Sequence, residues 1–159
     1  MKSYTINLYR AILMSCLLLV SLVVQAQSPE TEIRNVIDQL FTGMRTGDSS
    51  LVSKSFLADA TLQSVSAGQD GSIRIQKDAI QGFIKAVGTP HSSIWDEQIY
   101  GVQIKVDGPI AHAWVPYKFF VGTTFSHCGV NSFTMIRMDS GWKIASITDT
   151  RRKEPCIEP

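Results

Sequence analysis

The sequence predicts an α+β domain in which three helices, all from the N-terminal half, pack on one face of a curved antiparallel sheet. Three observations predict it. Apolar residues recur at helical spacing early in the chain, at Ile33, Val36, Ile37, Leu40, Phe41 and Met44. From Trp95 onward the chain runs in long β-rich stretches broken by short glycine-containing turns. The helices come first and the long strands last, so the helices cover the sheet instead of alternating with its strands.

Ahead of the first helix, residues 1–26 read as a secretory signal peptide. Lys2 and Arg10 give a positive start, residues 11–24 an apolar core, and Val24 and Ala26 small residues at the cleavage positions. The apolar run is shorter than the ~20 residues that a bilayer crossing needs. Most of it follows Cys16, which argues against lipidation there. Cleavage near Ala26 leaves one domain, residues 27–159, periplasmic or secreted, with no stable membrane insertion.

Ser28-Pro29-Glu30 opens the first helix with a cap, a proline at the first helical position and an acid at the positive end of the dipole. Thr46-Gly47-Asp48 ends it, and Asp48 caps a short second helix with Leu51, Val52, Ser55 and Phe56 inward. Residues 60–65 and 72–76 are expected as short strands. Residues 77–87 are expected as the third helix, stopped by Gly88-Thr89-Pro90. Four strands follow, at residues 95–106, 110–121, 125–138 and 142–152. Their turns fall at Asp107-Gly108, at residues 122–124 and at residues 139–141. Pro116 cannot donate to a ladder and is predicted to mark a bulge or bend.

Loss of Lys2 and Arg10 with the signal moves the formal charge from +1 to −1. A near-neutral chain offers no electrostatic case for nucleic acid or an anionic membrane. His91, His112 and His127 have no ligand spacing and there is no Cys-x-x-Cys, so no metal and no other cofactor is expected. Two cysteines remain, Cys128 and Cys156. In an exported chain such a pair favours one bridge. Cys156 lies just past the last strand, where it can fold back. Two free thiols, or a reactive Cys128, are the alternatives.

Five stretches carry a family resemblance: residues 33–48 (IRNVIDQLFTGMRTGD), Trp95-Asp96, residues 111–117 (AHAWVPY), His127-Cys128-Gly129 and residues 141–152 (GWKIASITDTRR). Together they resemble the nuclear transport factor 2-like superfamily, the cystatin-like α+β cone. Within it they resemble the exported bacterial branch described as lumazine-binding-like or polyketide-cyclase-like. The likeness spans nearly all of residues 27–159. It implies a cone closed by the first helix, with ligands held inside. The superfamily holds isomerases, dehydratases, cyclases and domains with no known reaction, so it selects no activity.

Strand alternation then sorts the side chains. A three-residue turn at 122–124 sets Tyr117 opposite Gly129, Phe119 opposite His127 and Val115 opposite Asn131. A three-residue turn at 139–141 sets Asn131 opposite Asp149 and Gly129 opposite Arg151. A two-residue turn there would flip the last strand and bring Thr148, Thr150 and Arg152 inward. The first arrangement gathers Tyr117, Phe119, His127, Asn131, Phe133, Asp149 and Arg151 on one face, an apolar wall with converging polar groups. His127 and Cys128 are neighbours on a strand and point to opposite faces, so they cannot form a catalytic dyad with each other.

His127 or Asp149 is the candidate base, and Tyr117 the candidate donor to an oxyanion. Arg151, Asn131, Phe119 and Phe133, with Asp96 at the mouth, are the candidate ligand contacts. Taken singly, each is better read as structural, such as an Asp149–Arg151 ion pair, and it is their convergence that favours a ligand site. The expected function is an exported domain that binds a small, partly apolar or anionic molecule. One alternative is a cofactor-free isomerase, dehydratase or cyclase. Another is a homodimeric assembly module, paired through an outward sheet face that includes Trp114, Phe120, Val130 and Ile136. A site like that of the steroid isomerases needs a buried pair of acids, and no such pair is evident in the sequence.

Overall fold

The computed structural model describes residues 27–158. The expected signal peptide and its cleavage site lie outside the described residues. Within them, α1 (Pro29–Thr46) and α2 (Ser49–Ser55) precede β1 (Phe56–Ala67) and β2 (Ile73–Ala79). Next come α3 (Ile80–Gly88), β3 (Trp95–Ile99), β4 (Gln103–Asp107), β5 (Ile110–Val121), β6 (Thr124–Met138) and β7 (Gly141–Arg151). The strands form one curved, unclosed seven-stranded sheet in the order β2-β1-β7-β6-β5-β3, with β4 also on β5.

The caps behave as their chemistry dictates. Ser28 Oγ accepts from the Thr31 amide at 3.3 Å, and Pro29 has no amide to satisfy. Gly47 adopts φ 69°, and the next amide, Asp48, turns back to the Gly43 carbonyl at 2.9 Å. Asp48 then accepts from the Leu51 amide at 2.9 Å to start α2. The α1 stripe is buried at Ile33, Ile37, Leu40, Phe41 and Met44 and packs into a core with Val115, Met135 and Ile144.

Several boundaries differ from expectation. Phe56 opens β1 instead of closing α2, and residues 77–79 extend β2, so α3 begins at Ile80. The expected strand at 95–106 is split in two. Its pairing with β5 jumps from Ile99↔Tyr117 to Gln103↔Trp114, with Gly101 left-handed at φ 55° between them. The break lies beside Pro116, which has no amide to offer; the Tyr100 amide donates to the Pro116 carbonyl at 3.1 Å. The proline thus bends its partner segment while β5 runs on unbroken. One pair of strands, β1 with β7, is parallel and joins the two ends of the domain.

Registers in the second half agree with expectation by a different route. Both turns hold two residues, since Val121 pairs with Thr124 and Met138 with Gly141. Each is followed by a bulge, between Phe119 and Phe120 in one hairpin and between Thr134 and Met135 in the other. Each bulge restores the extra residue that a longer turn would have held. Tyr117 therefore meets Gly129, Phe119 meets His127, and Asn131 meets Asp149. Cys128 and Cys156 are bridged, with Cα atoms 5.7 Å apart, and Cys128 is fully buried.

Candidate functional site

A cavity of about 370 Å³ lies between the sheet and the helices α1 and α3. Its volume falls in the usual range for small-molecule pockets. Leu40, Phe41 and Met44 from α1, Phe83 from α3, Trp95 from β3 and Phe119 from β5 make it mainly apolar. Polar groups enter from the strands.

β3 supplies Glu97, which shares a face with Trp95 by the two-residue strand period. Glu97 accepts from Asn131 Nδ2 at 2.7 Å. It is half-buried and lines the cavity. That burial pushes its carboxyl up to about 7, assisted by the negative charge of Asp149 and opposed by the Asn131 amide and Arg151. Asp96, expected at the mouth, does not line the cavity. It accepts from Arg45 Nε at 2.8 Å and from Gln98 Nε2 at 2.9 Å, and those bonds hold its carboxyl below the ordinary range.

β7 supplies Asp149 and Arg151. Asp149 is buried, and its oxygens are well used. Oδ1 accepts from Ser64 Oγ at 2.6 Å; Oδ2 accepts from Arg151 Nε at 2.8 Å and from the Tyr117 hydroxyl at 3.2 Å. The Tyr117 hydroxyl is also 3.0 Å from the Thr150 carbonyl, so one proton is shared between two acceptors. Burial raises the Tyr117 phenol far above its ordinary value, and the charges of Asp149 and Glu97 raise it further. Tyr117 is therefore a donor at any physiological pH.

Tyr117 reaches β7 by crossing β6 at Gly129. A Cβ at Gly129 would stand 1.7 Å from the Thr150 carbonyl oxygen and 3.0 Å from Tyr117 Cε1, so only glycine fits there. His127 packs against Tyr117 edge-on, with ring centres 5.7 Å apart, and against Phe119 at 5.1 Å. Its Nδ1 is 3.0 Å from Ser126 Oγ. Burial, and then the Arg151 charge, hold the imidazole below its ordinary value, so it is neutral at pH 7. Asp149 is engaged by Arg151 and makes no hydrogen bond to His127.

The structure thus brings Tyr117, Phe119, His127, Asn131, Asp149 and Arg151 to one cavity. Phe133 is not among its walls. It is 0% exposed and packs edge-on, at 6.4 Å, against Phe41, which does line the cavity. Two site residues, Glu97 and Ser64, were not read from the sequence. Glu97 had a signal, its shared face with Trp95. Ser64 had none, since it meets Asp149 only through the parallel β1–β7 pairing. Glu97 and Asp149 are a pair of acids on the cavity wall, Asp149 buried and Glu97 half-buried, that the sequence did not reveal.

A family model described as "Putative lumazine-binding" matches residues 28–148. No curated protein matches the chain. Solved structures match in fold. An NTF2-like protein with a cystatin-like fold from Novosphingobium aromaticivorans is 16% identical, with 90% of each chain covered and a TM-score of 0.63. An NTF2-like protein of unknown function from Shewanella baltica OS155 is 15% identical, covering 79% of this chain and 94% of its own, with a TM-score of 0.59. Another, from Methylobacillus flagellatus KT, is 18% identical, covering 81% of this chain and 97% of its own, with a TM-score of 0.56.

Proposed function

Because the chain belongs to the lumazine-binding-like family of the nuclear transport factor 2-like fold, we propose that it is an exported domain that binds one small, largely apolar molecule inside the cone. The observation that carries this reading is the cavity itself, about 370 Å³, aromatic-walled, with Glu97, Asn131, Tyr117 and Arg151 at its polar end. Aromatic and aliphatic walls supply affinity, and a few fixed polar groups orient the ligand. Export is supported by the charged start and apolar run of residues 1–26, and the Cys128–Cys156 bridge is compatible with it.

Ala86 lines the cavity from α3, and Ala86→Trp would fill it. Native mass spectrometry of the mature protein should find a bound small molecule, carried from the cell or taken from an apolar library, and Ala86→Trp should lose it. Equal binding by both proteins would place the ligand elsewhere and defeat the reading.

One observation favours a second reading, a cofactor-free isomerase, dehydratase or cyclase. Glu97 lines the cavity with a single hydrogen bond, from Asn131, and burial raises its carboxyl toward the neutral range that suits a general base. Glu97 suits that role better than Asp149, whose oxygens are engaged, or His127, whose ring is wedged between aromatics. Turnover that vanishes in Glu97→Gln while binding persists would select this reading. Pairing of two copies through the outer sheet face has weaker support. Trp114 is 50% exposed there, but Val130 is buried within the chain.

A further inference from the structure

The geometry points to a ligand with a cationic or strongly N–H-donating head on an aromatic body, the head meeting Glu97. This rests on the binding reading above and names the chemistry of the ligand.

Four charged side chains line the cavity among the described residues: Asp78, Glu97, Asp149 and Arg151. The single guanidinium is already bonded to Asp149 at 2.8 Å, so that pair cancels. Ser64 and Tyr117 complete Asp149 with two further donors. Asp78 is exposed and takes the Gln76 amide. Glu97 takes one hydrogen bond, from Asn131. A carboxylate has about four acceptor positions, so Glu97 keeps acceptor capacity free toward the cavity that it lines.

The other elements around Glu97 bring no cation to it. α1 and α3 present Leu40, Phe41, Met44, Phe83 and Ala86 to the cavity. β1 brings Ser64, β2 Asp78, β5 Tyr117, and β6 Asn131 with a neutral His127. A ligand N–H group would satisfy Glu97, and a cation would balance its charge as well. Trp95 and Phe119 beside it suit an aromatic body, and an aromatic face also attracts a cation. A ligand carboxylate would instead approach three carboxyl groups, Asp78, Glu97 and Asp149, against one guanidinium, whose Nε is already bonded to Asp149. An anionic head is therefore disfavoured, and Arg151 acts to neutralise Asp149.

Three probes of one shape test this: benzamidine, a cation; benzamide, neutral; and benzoate, an anion. Each is titrated by calorimetry into the mature, disulfide-bonded protein at pH 8 and low salt. Benzamidine should bind most tightly and benzoate least, with at least about a tenfold spread. In Glu97→Gln, benzamidine should weaken by about tenfold while benzamide changes little, with a melting temperature no lower than that of the parent. Lowering the pH from 8 to 6 should weaken benzamidine alone. Benzoate binding as tightly as benzamidine, or a benzamidine preference that survives Glu97→Gln, overturns the proposal while leaving the binding reading intact. Silence from all three probes, together with equal behaviour of wild type and Ala86→Trp toward an apolar library, would overturn the binding reading as well.

Discussion

Asp96 and Glu97 are neighbours on β3, yet one carboxyl is held low by donors and the other is pushed up to about 7 by burial. Glu97 therefore leaves a mark on stability. Between its ordinary value of 4.5 and about 7, the folded protein keeps a proton that the unfolded chain releases. Stability falls as pH rises through that window, by on the order of 3 kcal/mol at most. Glu97→Gln should remove this slope. Urea melts should find it more stable than the parent at pH 8, by roughly 2 kcal/mol, and close to it at pH 4.5; a parallel slope in the variant would refute the assignment. His127 acts with the opposite sign. Its lowered value means the unfolded chain binds the proton first, so stability falls as pH drops below 6.5. Gly129→Ala belongs to the same scale. The added methyl meets the Thr150 carbonyl, and a loss of roughly 3 kcal/mol or more is expected in the same melts, with altered near-ultraviolet signal from Tyr117. A near-neutral Gly129→Ala would mean that β6 and β7 lie farther apart than described.

Among the elements, the two hairpins show how one register can arise from two turn chemistries. A tight turn plus a bulge places the same side chains inward as a longer turn without one. The parity of the cavity face was therefore legible even though the turns were misread. The segment after β7 is tied by the Cys128–Cys156 bridge. It also holds Glu158 on Lys118 at 2.8 Å, Pro155 on Arg152 at 2.6 Å, and Ile157 under the Tyr100 hydroxyl. Closing a loop of this length constrains the unfolded chain by about 3.5 kcal/mol. Reduction should lower the unfolding free energy by about 3 kcal/mol and free this segment to proteolysis. An unchanged urea midpoint with reductant would show that the bridge adds nothing beyond packing.

At the scale of the whole molecule, the sheet and the two helices α1 and α3 enclose one cavity, and its filling should be read by the entire domain. An aromatic ligand that binds there stabilises the folded state by mass action, about 2.7 kcal/mol at a hundredfold excess over its dissociation constant. Benzamidine should thus raise the melting temperature of the wild type and leave Ala86→Trp unmoved. A matching rise in both would place the ligand outside the cone. The amino-acid sequence by itself determined the helix stripes, their caps and the long strands, and it favoured the inward parity of Tyr117, His127, Asn131, Asp149 and Arg151 and the pairing of Cys128 with Cys156. The stripes, caps and strands follow from local period and cap chemistry, which act within a few residues, whereas the parity was reached through two bulges that the turn residues did not announce. Tertiary structure alone decided that β1 lies parallel to β7, that Ser64 therefore reaches Asp149, that Phe133 packs in the core against Phe41, and that Glu97 lines the cavity with a single partner. Those outcomes depend on which distant elements meet. A carboxyl's charge is set by the water and partners around it, not by its neighbours in the chain.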